Sequence, residues 1–255
     1  MYFKSFLERS KKENNSFLNK ILKKNYCIVC NHFSNFQRVS KRKIELKRRC
    51  KICFSLARHR MLINYLKNNR KLIHGKRILE ISPSPCTQYY FDTNKEIQSY
   101  ETLDIQDFNR ENHHAVDLEK DDLSHIKSVD LIINFHVMEH LRTDFTKVIF
   151  KLNGLLNKNG THLLCMPTQI EDVYEFNIDP IADEERQRLF GHKYHYLKIG
   201  EKNLLNILKK KFIFKTVEKK NYVSNYFKRN FGKKDEEFEK LKKKRTYFYA
   251  IYKNL

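Results

Sequence analysis

Scarcity of particular residues narrows the possibilities before any motif is read. Among 255 residues there are six glycines, four prolines and no tryptophan. Lysine and asparagine are abundant in their place, as in a chain from a biased genome that puts lysine on every solvated face. No stretch reaches the roughly 18 uninterrupted apolar residues that a membrane-crossing helix needs. The opening MYFKSFLERSKKENN lacks the apolar stretch of a secretory signal, so a cytoplasmic location is expected. No internal repeat or low-complexity linker interrupts the chain. A disordered protein is excluded by the 40% hydrophobic content, which is enough to build a core. The length fits one large α/β domain with about 50 to 80 residues left for an accessory module. Six cysteines in a reducing compartment are expected as thiols or metal ligands, since disulfides are rare there.

Acidic residues are also few, 30 against 51 lysines and arginines, for a net charge of +21. The excess is uneven: both ends are basic and the middle, residues 78–200, is acidic. Two readings stand side by side. One is a solvated lysine-rich surface, and the other is a basic surface that attracts a polyanion, a phosphorylated acceptor or an anionic membrane face.

Residues 1–24 place Phe3, Phe6, Leu7, Phe17, Leu18, Ile21 and Leu22 at helical spacing among lysines, which predicts an amphipathic helix that packs on the fold or docks on a partner or membrane. Residues 25–72 hold a cysteine-rich module followed by a helix over Ser55 to Lys71. From residue 73 to 255 short apolar runs alternate with helical patterns. RILEI, SYETLDI, HHAVDL, VDLIINF and THLLCMP read as strands, and Thr143 to Leu156 as a helix closed by Asn157 to Gly160. A helix over Glu201 to Lys210, a strand over Phe212 to Val217 and a last strand RTYFYAIY complete the pattern. Such alternation predicts a parallel sheet covered by helices on both faces. The polar stretch 169–197 is too long for a simple connection and reads as a lid.

Cys27-x2-Cys30 and Cys50-x2-Cys53 are separated by 19 residues, a spacing typical of paired zinc knuckles. Two such turns aim four thiolates at one tetrahedral ion, and four sulfur ligands leave no open position, so the zinc is expected to be structural. Unligated core cysteines and a redox or iron–sulfur role are the alternatives, and His32 is a conceivable substitute ligand. Cys86 and Cys165 stand apart and read as packing residues.

The run from Arg77 to Cys86 is a strand ending in small and proline residues, and a second strand ends about 20 residues later in Asp104. Ligands of doubly wound sheets bind outside the carboxyl ends of the strands, where such an acid grips a ribose diol. No glycine is present in the turn, which discounts NAD and nucleoside triphosphates. Glu80 suits a cationic amino-acid group instead.

These residues together resemble the class I S-adenosylmethionine-dependent methyltransferases, of the type 11-like kind, over roughly Arg77 to Tyr252. Ile78-Leu-Glu80 resembles the first motif, Leu103-Asp104-Ile105 the ribose-binding acid, and Val116-Asp117-Leu118 the acid near adenine. Phe135-His-Val-Met-Glu-His-Leu141 is similar to the H-V-L-E-H segment, and Leu152 to Gly160 followed by THLLCMP is similar to the ending of the fifth strand. A closer match is the subgroup whose N-terminal four-cysteine knuckle ends in C-x2-C-x-S-L-x-R-H-R, here Cys50 to Arg60. That subgroup has A-P-E-P where glycines are usual, here Ser82-Pro-Ser-Pro85, and a late F-G-x-x-x-H, here Phe190 to His195. Ser84 departs from its Glu. The resemblance implies a Rossmann-like seven-stranded sheet with helices on both faces plus a small N-terminal zinc-binding module. It implies S-adenosyl-L-methionine as cofactor, bound by Glu80, Ser82, Asp104, Ile105, Asp117, Leu118 and His136, and structural Zn2+ on Cys27, Cys30, Cys50 and Cys53.

Methyl transfer to a hydroxyl needs positioning and a base, and histidine titrates in the right range. Among His136, His140, His192 and His195, the first candidate is His195 and the second His140. No N-P-P-[YF] stretch of the amino-methylating kind is present, and no cysteine is placed as a base-carbon nucleophile, so O-methylation is favoured. The subgroup's resemblance to surface-glycan tailoring enzymes implies a small or carbohydrate acceptor, in one version phosphorylated or nucleotide-linked, and the basic charge suits an anionic one. The alternative is an RNA methyltransferase. Phe33, Phe36, Arg38, Arg42, Arg48 and Arg49 interleave aromatic and basic groups as RNA binders do. A non-catalytic binding module is the third reading.

Overall fold

The computed structural model describes residues 25–34, 36–38, 48–218 and 246–252. The helix expected over 2–24 lies outside them. Among the described residues no helix is long and apolar enough to cross a membrane. The described residues divide into two compact units, one within 25–74 and 83–97 and the other within 75–82, 98–218 and 246–252.

In the first unit, β1 (Asn25–Cys27) and β2 (His32–Ser34) form an antiparallel hairpin, and β3 (Phe36–Arg38) pairs with β4 (Arg48–Cys50) in a second. Helix α1 (Ala57–Asn68) buries Met61, Leu62, Ile63 and Leu66; Leu62 and Ile63 share a face with Leu66, which follows them by four and three positions. Its Arg60 is buried too. The guanidinium lies 4.3 Å over the Phe36 ring and donates to the Ser55 carbonyl, so its charge is spread over a ring face and a dipole. Helix α2 (Pro85–Asp92) begins with Ser84 as N-cap and proline at the first position. Ser84 and Thr87 exchange backbone and side-chain hydrogen bonds, which is what Ser-Pro followed by a threonine at N3 predicts. Cys86 is buried, and its thiol lies 3.1 Å from His59 Nδ1 and 3.2 Å from the Ser84 hydroxyl, polar contacts beyond the packing role expected of it.

The second unit is built on a seven-stranded sheet: β5 (Arg77–Ile81), β6 (Ser99–Asp104), β7 (His113–Ala115), β8 (Val129–Phe135), β9 (Leu156–Cys165), β13 (Phe214–Glu218) and β14 (Thr246–Tyr252). Their spatial order is β13-β14-β9-β8-β5-β6-β7. Strands β7, β6, β5, β8 and β9 run parallel, while β14 is antiparallel to both β9 and β13. The order reverses at β5, so β5 and β8 flank a switch point of the kind where ligands bind in open α/β sheets. Leu79, Ile81, Leu103, Ile132 and Leu164 form one face of the sheet and pack with Val148, Ile149 and Leu152 of α3 (Phe145–Gly154) and Leu204 and Leu208 of α5 (Glu201–Lys211). Asp144 caps α3 by accepting from the Thr146 amide at 2.9 Å.

Some expected bounds shift. HHAVDL is a strand only to Ala115, because Asp117 turns the chain by accepting from the Glu119 amide. Asn157 to Gly160, expected as the loop closing a helix, already belongs to β9. The stretch 169–197 is not irregular. It contains β11 (Tyr174–Phe176) and α4 (Asp183–Phe190), and a small three-stranded sheet forms in the order β10-β12-β11, with β10 at Thr168–Gln169 and β12 at Leu197–Gly200.

Candidate functional site

The four cysteines meet. Cys27 and Cys30 flank the turn between β1 and β2, and Cys50 ends β4, with Cys53 in the turn after it. In each half the residue after the second cysteine, Asn31 or Phe54, takes a positive φ, which curls the turn back so that both sulfurs face inward. All four are buried, none is in a disulfide, and their sulfurs lie within 4.8 Å of one another. The closest pairs are Cys27 to Cys53 at 3.6 Å and Cys30 to Cys50 at 3.9 Å. Tetrahedral sulfurs on bonds of about 2.3 Å stand about 3.8 Å apart. The donor set therefore fits one zinc ion without rearrangement. Ser34 and Ser55 hydroxyls and the Ile52 amide approach the sulfurs at 3.2 to 3.5 Å, the outer contacts that orient such ligands. Cys27 is held well below the usual thiol value: burial opposes this, and hydrogen bonds from the other three cysteines and Ser55 outweigh it.

The second centre lies at the carboxyl ends of β6, β7 and β8. A cleft of about 540 Å³ is lined by Ile105, Asp117, Glu119, Lys120, His140, Arg142, Tyr194 and Tyr196. Ile105 is 69% exposed, an apolar side chain left uncovered where the sheet meets the cleft. Next to it Asp104 is half-buried. One of its oxygens accepts from the Gln106 amide at 3.0 Å, which leaves the other without a partner among the described residues. Asp117 is held below the usual carboxylate range, first by the Glu119 amide and then by Lys120, 3.1 Å away. Leu118 is buried behind it.

The first strand ends in Ser82, exposed and at φ 49°, its amide donating to the Leu103 carbonyl at 2.7 Å. A left-handed residue at this corner is the conformation glycine usually supplies, and here serine adopts it. Glu80 is buried and accepts from the Tyr100 hydroxyl at 2.6 Å. His136, also at positive φ, takes the Cys165 carbonyl with its backbone amide and stands 3.3 Å from Glu139. Of the sequence candidates, Ile105, Asp117 and His140 line the cleft. Glu80, Ser82, Asp104, Leu118, His136 and His195 do not.

The segment after α4 reaches the same place. The Tyr196 amide donates to the Glu139 carbonyl at 2.8 Å, and His140 Nδ1 donates to the Tyr194 carbonyl at 2.9 Å. Arg186, buried, donates to the Asn177 and Asp179 carbonyls and stacks 4.5 Å from the Tyr196 ring, fixing the segment from within. His195 packs edge-on to His140, with ring centroids 4.7 Å apart. Burial, the largest cause, pushes His195 down to about 4, although Glu139 pulls the other way. Arg142, Tyr194, Tyr196 and the partnership of His192 with the other two histidines were not read from the sequence. The alternation of histidine and tyrosine over 192–196 is the one local signal that pointed to them.

No protein-family profile and no curated protein matches the chain. Solved structures resemble it weakly. Coclaurine N-methyltransferase bound to N-methylheliamine and SAH is 11% identical at a TM-score of 0.49, covering 78% of this chain and 72% of that one. An S-adenosylmethionine dependent methyltransferase from Mesorhizobium loti is 14% identical at 0.48, covering 74% and 96%. The N-methyltransferase NodS from Bradyrhizobium japonicum, in complex with SAH, is 15% identical at 0.42, covering 77% and 85%. All three scores lie below one half. The fold class, a Rossmann-like seven-stranded sheet, rests instead on the order and sense of the strands.

Proposed function

We propose that the protein is an S-adenosylmethionine-dependent methyltransferase that methylates a hydroxyl of a small or carbohydrate acceptor bearing an anionic group, in surface-glycan biosynthesis. The observation that carries this is the cleft. It joins two residues expected at the cofactor, Ile105 and Asp117, to a candidate base, His140, and to Lys120, Arg142, Tyr194 and Tyr196. Two cations suit an anionic acceptor, and two tyrosines give a sugar or base ring a flat surface. Asp104 keeps one oxygen for a ribose diol, and Ser82 gives the corner after β5 its glycine-like turn; these residues fit the cofactor. When bound, the cofactor supplies a methyl group on a sulfonium centre.

His140 is the better placed of the two candidate bases. It lines the cleft, and because its Nδ1–H is held by the Tyr194 carbonyl, Nε2 keeps its lone pair for an acceptor proton. His195 stands against His140 and orients it. A base whose conjugate acid lies near 4 is a weak proton acceptor at neutral pH, and the depressed value of His195 suits the supporting part.

The RNA reading is less well supported. Phe36 is buried under the Arg60 guanidinium, and Phe33 packs at 5.3 Å on Tyr26, so these rings are already engaged and offer no stacking platform. Incubation with methyl-labelled cofactor and a fractionated cell extract tests the proposal. Label is expected in the small-molecule or glycan fraction, and label confined to RNA would reverse the choice.

A further inference from the structure

Three imidazoles separated by up to 55 positions in the sequence meet beside the cleft, and a methyl-transfer site requires no more than one. The ring nitrogens of His140, His192 and His195 all lie within 4.8 Å of one another. Their ring centroids stand 4.7, 4.9 and 6.0 Å apart. One of the three has a set tautomer. A carbonyl oxygen can only accept, so His140 Nδ1, 2.9 Å from the Tyr194 carbonyl, carries the proton and Nε2 keeps its lone pair. A backbone carbonyl behind the ring is how metal-binding histidines are oriented and made more basic. His195 sits half-buried between the other two rings. His192 is exposed, and its contact with the Tyr194 amide at 3.3 Å is long enough to be given up cheaply.

A second observation is independent of the imidazoles. Glu139 is 1% exposed and neither of its carboxylate oxygens has a hydrogen-bond partner; the nearest polar contact is His136 at 3.3 Å, and its charge reaches His195. A carboxylate buried in this way is costly unless a cation stands nearby, and an ion held by the three imidazoles would supply one.

We propose that His140, His192 and His195 form a second metal site, separate from the cysteines, for a divalent transition ion such as zinc or cobalt(II), with Glu139 as a buried counter-charge behind it. Three nitrogen donors select such ions over magnesium or calcium, and three protein ligands leave a position open towards the cleft. Bonds of about 2.0 to 2.1 Å put tetrahedral nitrogens about 3.3 Å apart, so the widest pair, at most 4.8 Å, closes by roughly 1.5 Å, a shift that rotation of the exposed His192 supplies. The proposal does not rest on the methyl-transfer reading; at His140 the two exclude each other, because the one lone pair on Nε2 either holds the ion or takes the acceptor proton, so the metal-loaded site has no free base there.

Cobalt(II) titration of the full chain tests it, after purification with zinc in the cysteine cluster and dialysis against a weak chelator. Bound metal is followed by elemental analysis and by the visible spectrum. One cobalt per chain is expected, with ligand-field bands and no thiolate charge transfer, and the equivalent is expected to be lost in both His192→Asn and His195→Asn. Each variant is melted without cobalt as a control for folding, and His192→Asn, at an exposed position, carries the test by itself if the other misfolds. Failure to take up cobalt, cobalt retained in the folded variants, or cobalt bound with thiolate bands alone overturns the proposal.

Discussion

His162 links one side chain to the pH response of the whole chain. It sits fully buried in β9, donating Nδ1–H to Asn153 at 2.8 Å, and burial pushes it from 6.5 down to about 3. The folded chain therefore binds no proton there until about pH 3, whereas the unfolded chain takes one up near 6.5. Stability is fully present above that range and is lost as pH falls through it, by about 2 kcal/mol at pH 5. Urea midpoints of the wild type and His162→Gln at pH 8 and pH 5 check this. The wild type should lose more than the variant by that amount, and equal losses would contradict it. At the cleft, His140→Ala should lower turnover about 100-fold or more with cofactor affinity nearly unchanged, because Asp104 and Ser82 lie outside the histidine cluster. A joint loss in titration and rate assays would mean that His140 shapes the cofactor pocket instead. Sequence alone offered His140 and His195 as separate candidates. Their meeting with His192 depends on a fold-back of more than 50 positions, which no local pattern encodes.

Among elements, the knuckle pair is the part most legible in the sequence, because the geometry of C-x2-C is fixed locally by two short hairpins. One tightly held zinc per chain is expected by elemental analysis after purification without added metal and dialysis against a weak chelator, which clears the histidine cluster. Cys27→Ser should remove it and lower the melting temperature, since binding is coupled to folding; a metal-free chain of unchanged stability would contradict this. Strands β5 and β8 were equally plain, as apolar runs of Val, Ile and Leu bounded by polar turns. The small sheet β10-β12-β11 was not legible. Its strands are two to four residues long, too short for alternation to register, and polar residues fill the stretch. What holds it is a close approach of backbones at Gly200, where any Cβ would collide with the Glu171 carbonyl and touch the Val173 amide, and where the Gly200 amide donates to Val173 at 2.6 Å. Gly200→Ala should accordingly cost about 1 to 3 kcal/mol in chemical denaturation, and a neutral result would mean the strap is looser than described.

For the molecule as a whole, sheet order decides where chemistry can happen. Reversal at β5 opens the carboxyl ends of the strands, and the acidic middle of the sequence supplies Asp104, Asp117 and Glu119 there. If the basic ends hold no RNA, methyl transfer to the true acceptor should be much less salt-sensitive than phosphate-backbone binding, which weakens steeply with added salt. The central claim is that this sheet binds S-adenosylmethionine at Asp104, and its most direct test is calorimetric titration of the full chain with S-adenosylhomocysteine. One molecule per chain is expected, with Asp104→Ala weaker by about 1 to 3 kcal/mol. Absence of binding by the wild type, or the same affinity in the variant, would contradict it.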